Sequence, residues 1–171
     1  MSNQEKDKRK IKIIAFAGVL AAFIFLGTEL HIPTAIGHIN LGDLVILVTA
    51  YILGPIAALP AAIGSAAADL IAGYAQYVLP TFIIKGLMGL VAGIIMKRNS
   101  DNIVPLPRKI IAAVVAELIM VAGYFSFESL PFMYGVAAAV GSVVPNLIQA
   151  GAAIIGAIPL TYVKQFDKIR V

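Results

Sequence analysis

The chain contains no cysteine and no tryptophan, and only 13% of its 171 residues are charged. Without cysteine there is no disulfide, no thiolate metal ligand and no cysteine nucleophile. So little charge excludes an ordinary soluble domain, in which about a quarter of the residues are charged. No G-x-x-x-x-G-K-[ST] occurs, so the chain has no P-loop with which to hold ATP. A Ser-His-Asp layout, an H-E-x-x-H pair and a pair of catalytic acids are also missing, and nothing resembles a nucleic-acid module. These absences argue against an enzyme.

What is present is apolar. Hydrophobic residues make up 60% of the chain, and the mean hydropathy is +0.95. Each membrane-spanning helix needs roughly 20 such residues, so the length allows about six spans and no separate soluble domain. The expectation is an all-α integral membrane protein with spans near 13–28, 41–53, 56–73, 81–96, 109–127 and 136–163. A basic segment, 1–12, precedes them and a short tail, 164–171, follows. No small-x-small cleavage pattern closes the first apolar run, so it reads as a retained helix rather than a signal peptide. The segment 29–40 reads as an irregular loop, broken at Pro33 and Gly37. Gly54-Pro55 reads as a tight reversal, and 74–80 as a loop of interfacial character.

The positive charges set the expected topology. Twelve of the 13 Lys and Arg lie at 6, 8, 9, 10, 12, 97, 98, 108, 109, 164, 168 and 170. With six spans, all of these fall on one side, and the loops on the other side carry none. The positive-inside rule then makes both termini cytoplasmic.

The remaining base, Lys85, lies inside a span, as does Asp69. A charge in hydrocarbon persists where it is paired or faces a polar cavity. Antiparallel neighbours would bring Asp69 and Lys85 to similar depth, as a structural ion pair, as ligand-binding groups, or both. Glu117 lies deeper in its span, where it is protonated, paired or cavity-facing. Glu29, His31, His38, Asn40 and Asp43 crowd the first outer loop, which is either solvated or a lid. The two histidines are not spaced as a helical ligand pair, and no metal site is expected. Asn146 and Gln149, three apart, share a helix face and suit either interhelical hydrogen bonds or a neutral heterocycle. Tyr74, Tyr77, Tyr124, Phe125, Phe127 and Tyr134 gather toward the outer ends, as an aromatic belt or as stacking surfaces. On the first helix, Ala17 and Ala21 form A-x-x-x-A, with Gly18 and Ala22 a parallel small pair. Such strips let helices pack closely, within the bundle or against another subunit.

Three stretches, INLGDLVILVTAYILGPIAALPAAIGSAAADLIAGY, PTFIIKGLMGLVAGII and VPNLIQA, resemble the substrate-binding S components of energy-coupling factor (ECF) vitamin transporters. The likeness spans all six apolar runs and lies nearest the hydroxymethylpyrimidine branch, with pyridoxine and riboflavin carriers as neighbours. It implies the six-helix S-component fold in the plasma membrane of a bacterium, capturing a vitamin at the outer face. It implies as partners a transmembrane coupling subunit and two cytoplasmic ATPases, which would use ATP and Mg, with no cofactor on this chain. It implies ligand contacts from His38, Asn40, Lys85, Tyr124, Asn146 and Gln149, and docking through Ala17 and Ala21. The competing expectation is a stand-alone secondary transporter, coupled to protons through Asp69 or Glu117.

Overall fold

The computed structural model describes residues 3–33, 38–97 and 104–169. Positions 1–2, 34–37, 98–103 and 170–171, with Gly37, Arg98 and Arg170 among them, lie outside the described residues. Helix dominates, as it must where no water satisfies backbone N–H and C=O groups. Helix α1 runs Asn3–Glu29, so the basic segment continues the first apolar helix rather than standing apart from it. Two short strands follow, β1 (His31–Pro33) and β2 (His38–Asn40), then α2 (Gly42–Leu53) and α3 (Ala58–Ile71). A helical turn at Ala75–Tyr77 leads into α4 (Val78–Ile95). Helices α5 (Leu106–Glu128), α6 (Gly135–Leu160) and the short α7 (Lys164–Ile169) complete the chain.

Two segments differ from the irregular loops expected of them. Residues 29–40 hold an antiparallel pair, with His31 opposite Asn40 and Pro33 opposite His38. Pro33 sits at the end of a two-stranded edge, where its missing N–H is tolerated. Residues 75–80 are already helical. Pro80 falls in the first turn of α4, where the N–H it lacks would have had no intrahelical partner.

Side-chain contacts fix the helix directions. Gly27 of α1 meets Val45 of α2, while Gly64 of α3 meets the Ala21 carbonyl. Gly89 of α4 meets Ala57 and Ala61, and Gly86 meets Ala62, so α3 and α4 run antiparallel. At the far end of α4, Gly93 lies against the Gly54 carbonyl, so α2 and α4 run parallel. Arg108 donates to the Ile95 carbonyl, and Gly123 meets Ile84, which sets α5 antiparallel to α4. Helix α6 returns antiparallel to α5, with Ser142 near Glu128 at one end and Lys109 near Thr161 at the other. The chain therefore reverses at each connection. The hairpin lies at one end of the bundle, and the start of α1, the Gly54 turn and the end of α6 lie at the other.

Five segments among the described residues are long and apolar enough to cross a membrane, one of them Gly42–Ile71. That segment holds two antiparallel helices, because Gly54 adopts φ 59°, a left-handed conformation open to glycine. With 12 residues, α2 rises only about 18 Å, against a hydrocarbon core of about 30 Å. The turn between α2 and α3 is therefore sunk into the bundle, where a Cβ on Gly93 would come within 2.1 Å of the Gly54 carbonyl oxygen.

On α1, Ala17 and Ala21 are half-buried. Ala17 leans on the central apolar cluster, and the Ala21 backbone receives Gly64 of α3. Gly18 and Ala22 are the exposed pair, with open space beside Gly18.

Candidate functional site

The hairpin end of the bundle encloses a recess with an empty volume of about 420 Å³, including its open mouth. That lies within the usual range of small-molecule sites. Strand β2 contributes His38 and Asn40, and α3 contributes Asp69. Tyr74, Tyr77, Thr81 and Lys85 come from the start of α4 and the turn before it. Tyr124 and Glu128 come from α5, and Asn146 and Gln149 from α6. All six residues for which the resemblance implied ligand contacts line this one recess.

Its floor is a buried polar network. Lys85 donates to Asp43 Oδ1, and Gln149 Nε2 donates to Asp43 Oδ2, so both carboxylate oxygens are engaged. Gln149 Oε1 accepts from the Asn40 N–H at 2.7 Å, which ties the hairpin to α6. Asn40 Oδ1 in turn accepts from the Gly42 N–H at 2.8 Å, at the first residue of α2. Asp43 occupies the first turn of α2, where the helix dipole favours an anion. The Lys85 ammonium also faces the Tyr124 ring, 5.3 Å from its centroid.

The ion pair expected between Asp69 and Lys85 is thus made by Asp43 instead. The reason is register. The antiparallel packing of α3 on α4 sets Asp69 beside Thr81, one turn from Lys85 toward the hairpin. Among the described residues Asp69 Oδ2 has no hydrogen-bond partner, and neither has either carboxylate oxygen of Glu117.

The walls are aromatic. Ring centroids step from His31 to His38 at 4.8 Å, to Tyr74 at 5.4 Å, to Tyr77 at 6.4 Å and to Tyr124 at 6.2 Å. The Tyr77 hydroxyl donates to Glu128 Oε1 at 3.0 Å, and Ser142 donates to Oε2. Thr81 and Tyr124 share a hydroxyl–hydroxyl bond at 2.9 Å. Thr81 and Glu128 were not foreseen as lining residues. Helical spacing could have found them, since Thr81 lies four before Lys85 and Glu128 four after Tyr124.

Burial, together with nearby His31 and Lys85, lowers the His38 imidazole from 6.5 to about 4, and Asp43 opposes this. The folded site therefore favours neutral His38.

Residues 8–166 match the family model for the ECF-type riboflavin transporter S component. The chain belongs to that family. It is a transport subunit of a multi-pass membrane class, not an enzyme. Membership implies work with an ECF transmembrane coupling subunit and ATPases. The S component is also similar to a protein of Pyrococcus woesei described as an "Uncharacterized protein in gap 3'region". The two are 32% identical over 128 residues, covering 74% of this chain and 82% of the other.

Two outcomes follow from the recess. Lys85→Met alone leaves the Asp43 carboxylate uncompensated and is expected to lower stability by about 3–5 kcal/mol. Asp43→Leu with Lys85→Met should recover most of that loss in denaturation of the purified S component; a double variant as weak as the single one would refute the pairing. Between pH 6.5 and 4 an exposed His38 imidazole takes up a proton that the buried one excludes. Acidification through that window should destabilise the folded site and weaken ligand binding, and His38→Gln should flatten the profile.

Proposed function

We propose that this S component is the high-affinity, membrane-embedded vitamin-binding subunit of an ECF importer. Its ligand is a small, flat, mostly neutral heterocycle, with hydroxymethylpyrimidine first and pyridoxine or riboflavin as alternatives. The observation that carries this reading is the convergence of the hairpin and of α3, α4, α5 and α6 on one aromatic, hydrogen-bonding recess. His38, Asn40, Lys85, Tyr124, Asn146 and Gln149 are the proposed contacts, with the hairpin as the lid.

The topology proposed is six spans with both termini in the cytoplasm. Alternating helix directions support it. So does the placement of Lys6, Lys8, Arg9, Lys10, Lys12, Lys97, Arg108, Lys109 and Lys164 on segments at the end away from the hairpin. The positive-inside rule assigns that end to the cytoplasm, which turns the recess outward in the plasma membrane. Two cytoplasmic ATPases then supply the energy, using ATP and Mg. This chain binds no cofactor of its own.

Docking to the coupling subunit is assigned to the small-residue face of α1. Ala17, packed on the apolar cluster, and Ala21, against α3, form its inner edge, while Gly18 and Ala22 present the free surface.

The purified chain should bind one of hydroxymethylpyrimidine, pyridoxine or riboflavin in the nanomolar to low micromolar range without ATP, read by titration calorimetry. Failure of all three to bind would overturn the reading. Accumulation of vitamin by liposomes containing this chain alone would instead establish a secondary transporter, for which the unpartnered Glu117 is the natural proton carrier. Gly18→Leu and Ala22→Leu should abolish co-purification with the coupling subunit and leave ligand affinity unchanged. Loss of both would place these residues in the fold rather than at the interface.

A further inference from the structure

We infer that Asp69 is the residue that orients the ligand, and that the recess selects flat, uncharged or cationic rings bearing an N–H donor while rejecting anions. This deepens the vitamin-binding reading and rests on it.

The charge around the recess carries the inference. Lys85 is the one cation among its described lining residues, and it is already held by Asp43 and the Tyr124 ring. The other described Lys and Arg lie in α1's first turns, at 97, at 108–109 and in α7, all toward the opposite end of the bundle. A phosphate or carboxylate entering the recess finds no free cation, and it meets two further carboxyl groups, Asp69 and Glu128. Burying an anion without a partner is costly.

The two acids are not equivalent. Both Glu128 oxygens accept hydrogen bonds, from Tyr77 and Ser142, so Glu128 serves to hold the wall. Asp69 is 4% exposed, and its Oδ2 lacks a donor. A buried carboxylate oxygen is an acceptor that the fold leaves unsatisfied, and Asp69 lines the space where a ligand would sit. Thr81 lies beside it, and Thr81 is itself bonded to Tyr124. The carboxylate therefore stands next to aromatic faces on which a flat ring can stack. An amino group on that ring supplies the missing donor, and a positive charge on the ring is favoured by both the tyrosines and the acid.

The test uses the purified full chain and three ligand pairs that differ by a phosphate: hydroxymethylpyrimidine, pyridoxamine and riboflavin, each against its phosphate ester. Whichever pair binds, the uncharged or cationic member should bind at least about 100-fold tighter than the ester. Asp69→Asn should weaken the preferred N–H-bearing ligand about 10- to 100-fold, without lowering the melting temperature of the ligand-free protein. The same ligand with that N–H removed or methylated should bind wild type and Asp69→Asn alike, a coupling that a merely structural Asp69 would not show. Equal affinity for an ester, or an Asp69→Asn affinity equal to wild type, overturns the inference and leaves the vitamin-binding reading standing. Should Asp69→Asn fail to fold, the ester comparison on the wild-type chain still decides selectivity. Absence of binding by every compound overturns the vitamin-binding reading, and this inference falls with it.

Discussion

A charged amine buried among helices in hydrocarbon has to be met by an acid and by dipoles, or it is not tolerated. Lys85 meets that condition through Asp43, and Asp43 through Gln149. Because Gln149 also takes the Asn40 N–H, the same network draws α2, α4, α6 and the hairpin into one register. Its members constrain one another: moving α6 by one turn would unseat Gln149, free one oxygen of Asp43 and release the hairpin. The recess opens above this floor, whose carboxylate oxygens are both engaged.

Small residues allow the floor to form. The Gly54 turn sits against Gly93, with no room for a side chain between them. Gly86 and Gly89 bring α4 close to α3 along alanines. Packing of this kind replaces the hydrophobic drive that is absent between helices in lipid. It also leaves the larger and polar side chains to gather at the hairpin end, where Asp69 of α3 and Tyr77 of the turn before α4 line the recess with Tyr124 and Glu128 of α5. The division of labour is thus spatial, with tight apolar contacts toward the termini and a polar, aromatic hollow toward the hairpin.

Such a hollow suits a subunit that binds but does not transport on its own. No P-loop occurs in the chain, and ECF membership supplies partner ATPases. The exposed small residues of α1 lie on the outer surface of the bundle, away from the recess. On the proposed assignment, ligand capture and partner docking occupy separate surfaces, and a change at one can leave the other intact.

Much of this was legible in the residues. Hydropathy and the scarcity of charge determine a membrane bundle, since a chain this apolar has no other stable solvent. Helical spacing places Asn146 with Gln149 on one face, and the order of motifs points to the family. The partner of Lys85 was not legible, because two acids, Asp43 and Asp69, both reach the outer ends of neighbouring helices. Choosing between them depends on relative helix register to within one turn, about 5.4 Å, and no local pattern encodes that. The same holds for α1, where A-x-x-x-A and the adjacent Gly18–Ala22 pair read alike and only packing against α3 turns one inward. What the sequence determined by itself is the solvent, the helices and the kind of groups the site could use. Tertiary structure alone decided which acid is spent on the lysine and which is left free, because that is a matter of how helices far apart in the chain are set against each other.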